Sequence, residues 1–120
     1  MKTHKDLDVY KNSIELVKSV YALTSSFPKD ELFGISSQMR RAAVSIPSNI
    51  AEGAARQSDR EYVHFLYISL GSLSELDTQV DISEELGFID HQASVDTQTK
   101  IVTIKQMLIG LIRSVKSRLP

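Results

Sequence analysis

The chain has 120 residues, a formal net charge of −1 and no cysteine. This length predicts one domain with a sizeable core, and the charge gives no global bias toward polyanions. The composition excludes disulfides and thiolate metal sites. The first residues contain no uninterrupted apolar run, so we expect neither a signal peptide nor a membrane span. We therefore expect a cytoplasmic protein.

Apolar residues at spacings of three and four predict a first helix over residues 6–25. A narrow seam of five residues follows this spacing: Leu7, Tyr10, Ile14, Val17 and Tyr21. A second apolar strip runs beside it: Val9, Leu16, Val20 and Leu23. The helix is expected to end before Pro28, since the residue preceding proline avoids the helical conformation.

A second helix is predicted over residues 31–55, beginning with Asp30 as N-cap or near Gly34. It is rich in Ala, Ser and Gly, whose small side chains allow neighbouring helices to approach closely. Pro47 lies in the middle of the helical pattern. Because proline lacks a backbone donor and its ring crowds the carbonyl four residues earlier, we expect a kink there.

The third and fourth helices are predicted over residues 59–86 and 91–118. Ser58 and Glu61 form a capping-box pattern at the start of the third helix, and Gly87 is placed to end it. Both helices carry heptad-spaced core stripes: Tyr62, Leu66, Ser69, Leu73, Leu76 and Val80 in the third, and Ile101, Ile104, Leu108, Leu111 and Val115 in the fourth.

Short loops between four long helices predict an all-α, antiparallel up-down-up-down four-helix bundle. It would form a single domain over residues 1–120, with its second helix kinked at Pro47. Additional apolar strips on the first, third and fourth helices exceed what one bundle needs, which predicts contacts between subunits.

Residues 40–53 read Arg-Arg-Ala-Ala-Val-Ser-Ile-Pro-Ser-Asn-Ile-Ala-Glu-Gly. This run closely resembles the signature of the 23S rRNA intervening-sequence protein family, also called the four-helix bundle protein family. The resemblance extends to three further segments. Residues 7–10 resemble the N-terminal segment of the family, residues 62–76 its third helix, and residues 86–89 the last turn of the third helix. The signature residues expected to have a structural role are Arg41, Ser45, Pro47, Asn49, Glu52 and Gly53.

The resemblance implies an antiparallel four-helix bundle that assembles into a ring-like homopentamer, without enzymatic activity. Some family members are encoded within insertions in bacterial 23S rRNA genes. A relative, the accessory variability determinant of diversity-generating retroelements, is a basic pentamer that binds nucleic acid and a reverse transcriptase. The resemblance therefore also implies RNA, DNA or a nucleic-acid-associated protein as a candidate partner.

Charge is unevenly distributed along the chain. Residues 62–99 contain no Lys or Arg, whereas the basic residues that follow have no acidic neighbour in sequence. Two interpretations stay open: the acidic third helix and the basic fourth helix complement each other, or the basic helix faces nucleic acid. The candidate phosphate-binding residues are Arg40, Arg41, Lys105, Arg113, Lys116 and Arg118.

Asn49 and Glu52 are predicted to satisfy polar groups around the proline. We expect the Asn49 amide to turn toward the third helix or a neighbouring subunit, donating to a carbonyl or to a hydroxyl such as that of Ser69. Glu52 and Arg56 have the spacing of a favourable helical ion pair.

Glu61 and His64 have the Glu-x-x-His spacing of di-iron bundles, but such a site needs a second motif and further glutamates, and the fourth helix has none. We therefore predict no catalytic residues, no metal and no cofactor. The favoured function is a non-enzymatic, oligomeric binding or scaffold protein. A purely protein-binding adaptor and a metal-dependent helical-bundle enzyme remain the alternatives.

Overall fold

The structure, a computed structural model, describes residues 2–120. It contains four α-helices: α1 (Asp8–Thr24), α2 (Ile35–Ala54), α3 (Asp59–Glu85) and α4 (His91–Lys116). Short 3-10 turns at His4–Asp6 and Lys29–Glu31 precede α1 and α2, and the described residues contain no strand. The prediction of an all-α four-helix fold is confirmed. None of the helices in this part of the chain has the length and apolar character needed to cross a bilayer.

The helix ends follow local capping rules, with one difference at α2. Ser58 Oγ accepts from the Glu61 amide at 3.2 Å, and Gly87, with φ of 76°, ends α3. The helix α2 begins at Ile35 rather than residue 31, because residues 29–31 form a separate 3-10 turn and Gly34 has a non-helical backbone. Of the two predicted starts of this helix, the one near Gly34 is therefore correct.

Contacting residue pairs show the direction in which neighbouring helices run. Between α2 and α3, Met39 contacts Ser83 and Ser45 contacts Ser72, so residue numbers rise along one helix and fall along the other. Between α1 and α4 the same holds for Asn12 with Met107 and for Ser19 with Lys100. The last helix thus packs beside the first, and the molecule is 49 Å long and about half as wide.

The core of α1 is formed by a different strip from the predicted seam. Leu16 and Val20 of the second strip are 1% and 0% exposed, whereas Ile14 and Tyr21 of the seam are 37% and 44% exposed. The two strips lie on adjacent sides of the helix, and only the neighbouring helices determine which one is covered. The apolar surface left uncovered on α1 is therefore the seam.

Pro47 is buried within α2, which continues without interruption through it. The kink at this residue stays a prediction. A carbonyl next to Pro47 accepts a hydrogen bond from outside α2: Ser69 Oγ on α3 donates to the Ile46 carbonyl at 2.9 Å. This buried bond joins the proline-containing turn directly to α3.

Gly53 lies at a close contact between α2 and α3. A Cβ atom added to it would lie 2.9 Å from Phe65 Cβ, 2.9 Å from Tyr62 Cδ1 and 3.2 Å from the Tyr62 carbonyl oxygen. Real Cβ atoms do not come this close to such neighbours, so the helices can reach this separation only with glycine there.

We expect Gly53→Ala to lower the free energy of unfolding by about 1–3 kcal/mol, because the methyl group overpacks a contact that includes backbone. Gly110→Ala is the matched control: no atom lies within 4 Å of its added Cβ, and alanine favours a helix interior by up to about 1 kcal/mol. Chemical denaturation of both variants tests this. Equal stability of Gly53→Ala and the parent would contradict the role assigned to the glycine.

Candidate functional site

The six signature residues divide between the interior and the surface of α2. Pro47 and Gly53 are buried, and Ser45 and Asn49 are half-buried toward α3. Arg41 and Glu52 are exposed. Ser45 and Asn49 therefore serve packing within the subunit, whereas Arg41 and Glu52 lie at the surface.

A chain of hydrogen bonds links the half-buried signature residues to α3. Asn49 Nδ2 donates to the Ser45 carbonyl at 2.8 Å and to Ser45 Oγ at 2.9 Å. Ser45 Oγ lies 2.9 Å from Ser72 Oγ, whose own hydroxyl donates to the Ile68 carbonyl at 3.2 Å. Since each hydroxyl has one proton, Ser45 donates to Ser72.

The expectation for Asn49 was therefore wrong in its partner. The amide stays on its own helix, because Ser45 lies one turn away and already presents both a carbonyl and a hydroxyl. Ser69, the expected acceptor, is instead a donor to Ile46. The hydrogen bonds of these residues connect α2 to α3.

The predicted ion pair between Glu52 and Arg56 is confirmed at 2.6 Å, with both side chains about half exposed. The Arg56 guanidinium also lies 4.8 Å from the centre of the Phe65 ring and 4.0 Å from the Glu61 carboxylate. Such solvent-exposed pairs contribute little stability.

The two residues of the Glu-x-x-His motif have other partners. Glu61 faces Arg56, and His64 packs edge-on against Phe65. No group of three metal-ligating side chains occurs within residues 2–120.

The candidate phosphate-binding residues do not form one patch on the single subunit. Arg40 lies near the end of α1, where its Nε donates to Thr24 Oγ1 at 2.8 Å and its guanidinium covers the Tyr21 ring at 4.7 Å. Arg41 is beside it and exposed. The remaining candidates lie on α4 or just after it, separated from these arginines by the length or the width of the bundle.

On the α4 side, most basic residues have neutral partners or none. Lys116 Nζ donates to Tyr67 Oη at 2.7 Å, and Arg118 lies 3.4 Å from Asp59. Lys105 and Arg113 are exposed and have no ion pair within residues 2–120. Charge complementarity between the third and fourth helices is thus limited to their ends, and two cations remain available to a partner.

A carboxylate–imidazole contact joins the other ends of α3 and α4. His91 Nδ1 lies 2.9 Å from Glu84 Oε2. Hydrogen bonding by Ser94, and then by His91, lowers the pKa of Glu84 below its usual value. The carboxylate is therefore ionised at neutral pH, and it adds to the acidic character of the end of α3.

A cleft of about 580 Å³ lies between α1 and α2. We call it the α1–α2 cleft, and its lining residues are Tyr21, Leu32, Phe33, Ser37, Arg40, Arg41, Val44 and Ser45. Phe33, in the turn before α2, is 93% exposed. Most of the lining is apolar, and both of its charged residues are arginines.

The apolar surface continues along the bundle beyond the cleft. A shallower groove between the same two helices is lined by Tyr10, Ile14, Val17, Val44, Pro47, Ser48 and Ala51. Sequence reasoning identified the α1 seam but not Leu32 or Phe33, which belong to no helical stripe. The available signal was a pair of large apolar residues in a connection, where small and polar residues are usual.

Loss of the Asn49 amide should cost about 1 kcal/mol of stability, because Ser45 loses a donor at a half-exposed site. We expect Asn49→Asp to cost more than Asn49→Ala, since it places a charged oxygen against the Ser45 carbonyl. Thermal unfolding at neutral pH measures both. Ser48→Ala, an exposed neighbour on α2, is the control and should melt like the parent; identical melting of all four proteins would contradict a structural role for the amide.

Known proteins share this architecture. A solved protein of unknown function from the S23 ribosomal protein family of Bacteroides thetaiotaomicron has the same fold, with a TM-score of 0.81 and 23% sequence identity. The match covers 88% of this chain and 95% of that one. The search of curated proteins gave no match. The family model described as 23S rRNA-intervening sequence protein matches residues 5–110, and the chain therefore belongs to that family.

Proposed function

We propose that this chain is a non-enzymatic, cytoplasmic protein that assembles into a homo-oligomer, with a pentamer as the favoured form. The assembly would act as a binding or scaffold module for RNA, DNA or a nucleic-acid-associated protein. The observation that carries the proposal is the apolar surface between α1 and α2, which runs from Tyr10 to the cleft at Phe33.

Exposure of this surface is unfavourable in an isolated subunit. Phe33, Leu32 and Tyr21 are among the most exposed large apolar side chains of the protein, and covering each would contribute about 1–3 kcal/mol. Contiguous apolar surface of this kind is typical of protein–protein contacts. Self-association is the simplest way to cover it, and the resemblance to a pentameric family favours it.

The nucleic-acid part of the proposal rests on fewer groups. Lys105 and Arg113 on α4 have no ion pair within the described residues, and Lys116 contacts only a tyrosine hydroxyl. Oligomerisation would repeat these cations in every subunit. Because the chain has a net charge of −1, we expect weak binding without sequence specificity, since it would depend on phosphate contacts alone.

Light scattering of the purified protein should give a particle mass near five times the subunit mass of 13.4 kDa. Phe33→Ser should shift the population toward smaller species, because it removes the most exposed apolar group of the surface. Lys18→Ser, on an exposed part of α1, is the control and should leave the mass unchanged. A stable parent monomer at micromolar concentration would overturn the proposed assembly.

Gel-shift titrations with duplex DNA and structured RNA over a salt series test the second part. Three contacts per subunit predict a slope of log K against log salt of about −3 for each subunit engaged on DNA. Replacing both Lys105 and Arg113 with Ala should reduce the slope by about 2, whereas Lys18→Ala should leave it unchanged. Absence of binding at low salt would favour the protein-binding adaptor instead.

A further inference from the structure

We infer that the α1–α2 cleft receives the outer face of α3 from a second copy of this chain. The contact is heterologous, so each copy offers the cleft to one neighbour and its α3 to another. The inference rests on the proposed self-association and identifies the two surfaces that meet.

An outward stripe on α3 has the shape and composition to fill the cleft. Its residues are Ile68, Glu75, Ile82 and Leu86, which follow one another at spacings of seven and four and which we call the α3 stripe. Ile82 and Leu86 are 43% and 57% exposed, although the core of α3 lies on a different stripe. A ridge of apolar side chains at this spacing is what packs into a groove beside another helix.

Charge complementarity selects this stripe over other exposed surfaces. The only charged residues of the cleft are Arg40 and Arg41, whereas the α3 stripe carries Glu75 in a region without Lys or Arg. Gln79 Nε2 donates to the Glu75 carboxylate at 3.2 Å and helps to hold it in place. The cleft supplies the cation and the stripe supplies the anion.

Two other pairings are disfavoured by the same charges. A two-fold contact between the clefts of two copies would place Arg41 of one copy against Arg41 of the other, and the two positive charges would repel each other. A second outward stripe, formed by Val95, Val102 and Ile109 on α4, is accompanied by Lys105 and Arg113 and would also bring like charges to the cleft.

The two surfaces lie at the same end of the bundle. The contacts of Met39 with Ser83 and of Ser45 with Ser72 bring the part of α2 that lines the cleft level with the part of α3 that carries Glu75 and Ile82. A heterologous contact closes into a ring when its rotation divides a full turn, as the proposed pentamer requires.

Charge reversal tests the pairing through the oligomer mass. We expect Arg41→Glu and Glu75→Arg each to shift the particle toward monomer by at least tenfold in dissociation constant, and the double variant to recover most of the parent assembly. Lys105→Glu, an exposed charge on α4, is the matched control and should keep the parent mass. Circular dichroism of each variant establishes that the helices are intact.

Cross-linking then identifies the surfaces directly, because the chain has no cysteine of its own. Val44→Cys and Ile82→Cys combined in one chain should give, with a short bismaleimide, a ladder that stops at the ring size. Val44→Cys combined with Val102→Cys should give no such ladder.

The outcomes separate this inference from the proposed function. An oligomer whose mass is unaffected by either reversal, or that gives the ladder only with Val102→Cys, would overturn the pairing while leaving self-association intact. A parent monomer would overturn both. If Arg41→Glu abolishes oligonucleotide binding without changing the mass, the cleft is a nucleic-acid site and the inferred occupant is wrong.

Discussion

The contact between α2 and α3 is the constraint on which the rest of the bundle depends. At Gly53 the two helices are so close that a single methyl group would meet Tyr62 and Phe65 at 2.9 Å. This separation requires glycine at residue 53, and α2 also buries small residues elsewhere, including Ala42 and Ala43. In close-packed interiors such a contact sets the position of its neighbours as well, so the signature helix determines how the other helices can pack.

Close approach also explains the polar residues of the signature. Serine hydroxyls are short, and they can connect two helices only when the backbones are near each other. Ser69 reaches the Ile46 carbonyl beside Pro47, and Ser45 reaches Ser72. Asn49 supports this link from within α2 by donating to Ser45. The small residues, the proline and the polar residues of the signature thus all contribute to the packing of α2 against α3.

The same arrangement leaves surface uncovered elsewhere. The first helix has apolar residues on two adjacent sides, and α2 and α4 cover only one of them fully. The other side joins Leu32 and Phe33 to form an apolar surface that includes the α1–α2 cleft. The assembly that we propose and the pairing that we infer both follow from this incomplete coverage, together with the arginines at the cleft and the acidic outer face of α3.

Local physical rules were enough to predict much of this protein from its sequence. Capping by Ser58, termination at Gly87 and the core stripes of α3 and α4 depend on residues within a few turns of one another. The tertiary structure decided what local rules could not. On α1 both strips have helical spacing, so only contact with the other helices selects Leu16 and Val20 for the core. For Asn49, by contrast, the partner is local, because Ser45 lies one turn earlier on α2 and accepts from the amide. The candidate cations were chosen by residue type, and their separation into distinct parts of the surface follows from the packing of four helices, which sequence spacing does not specify.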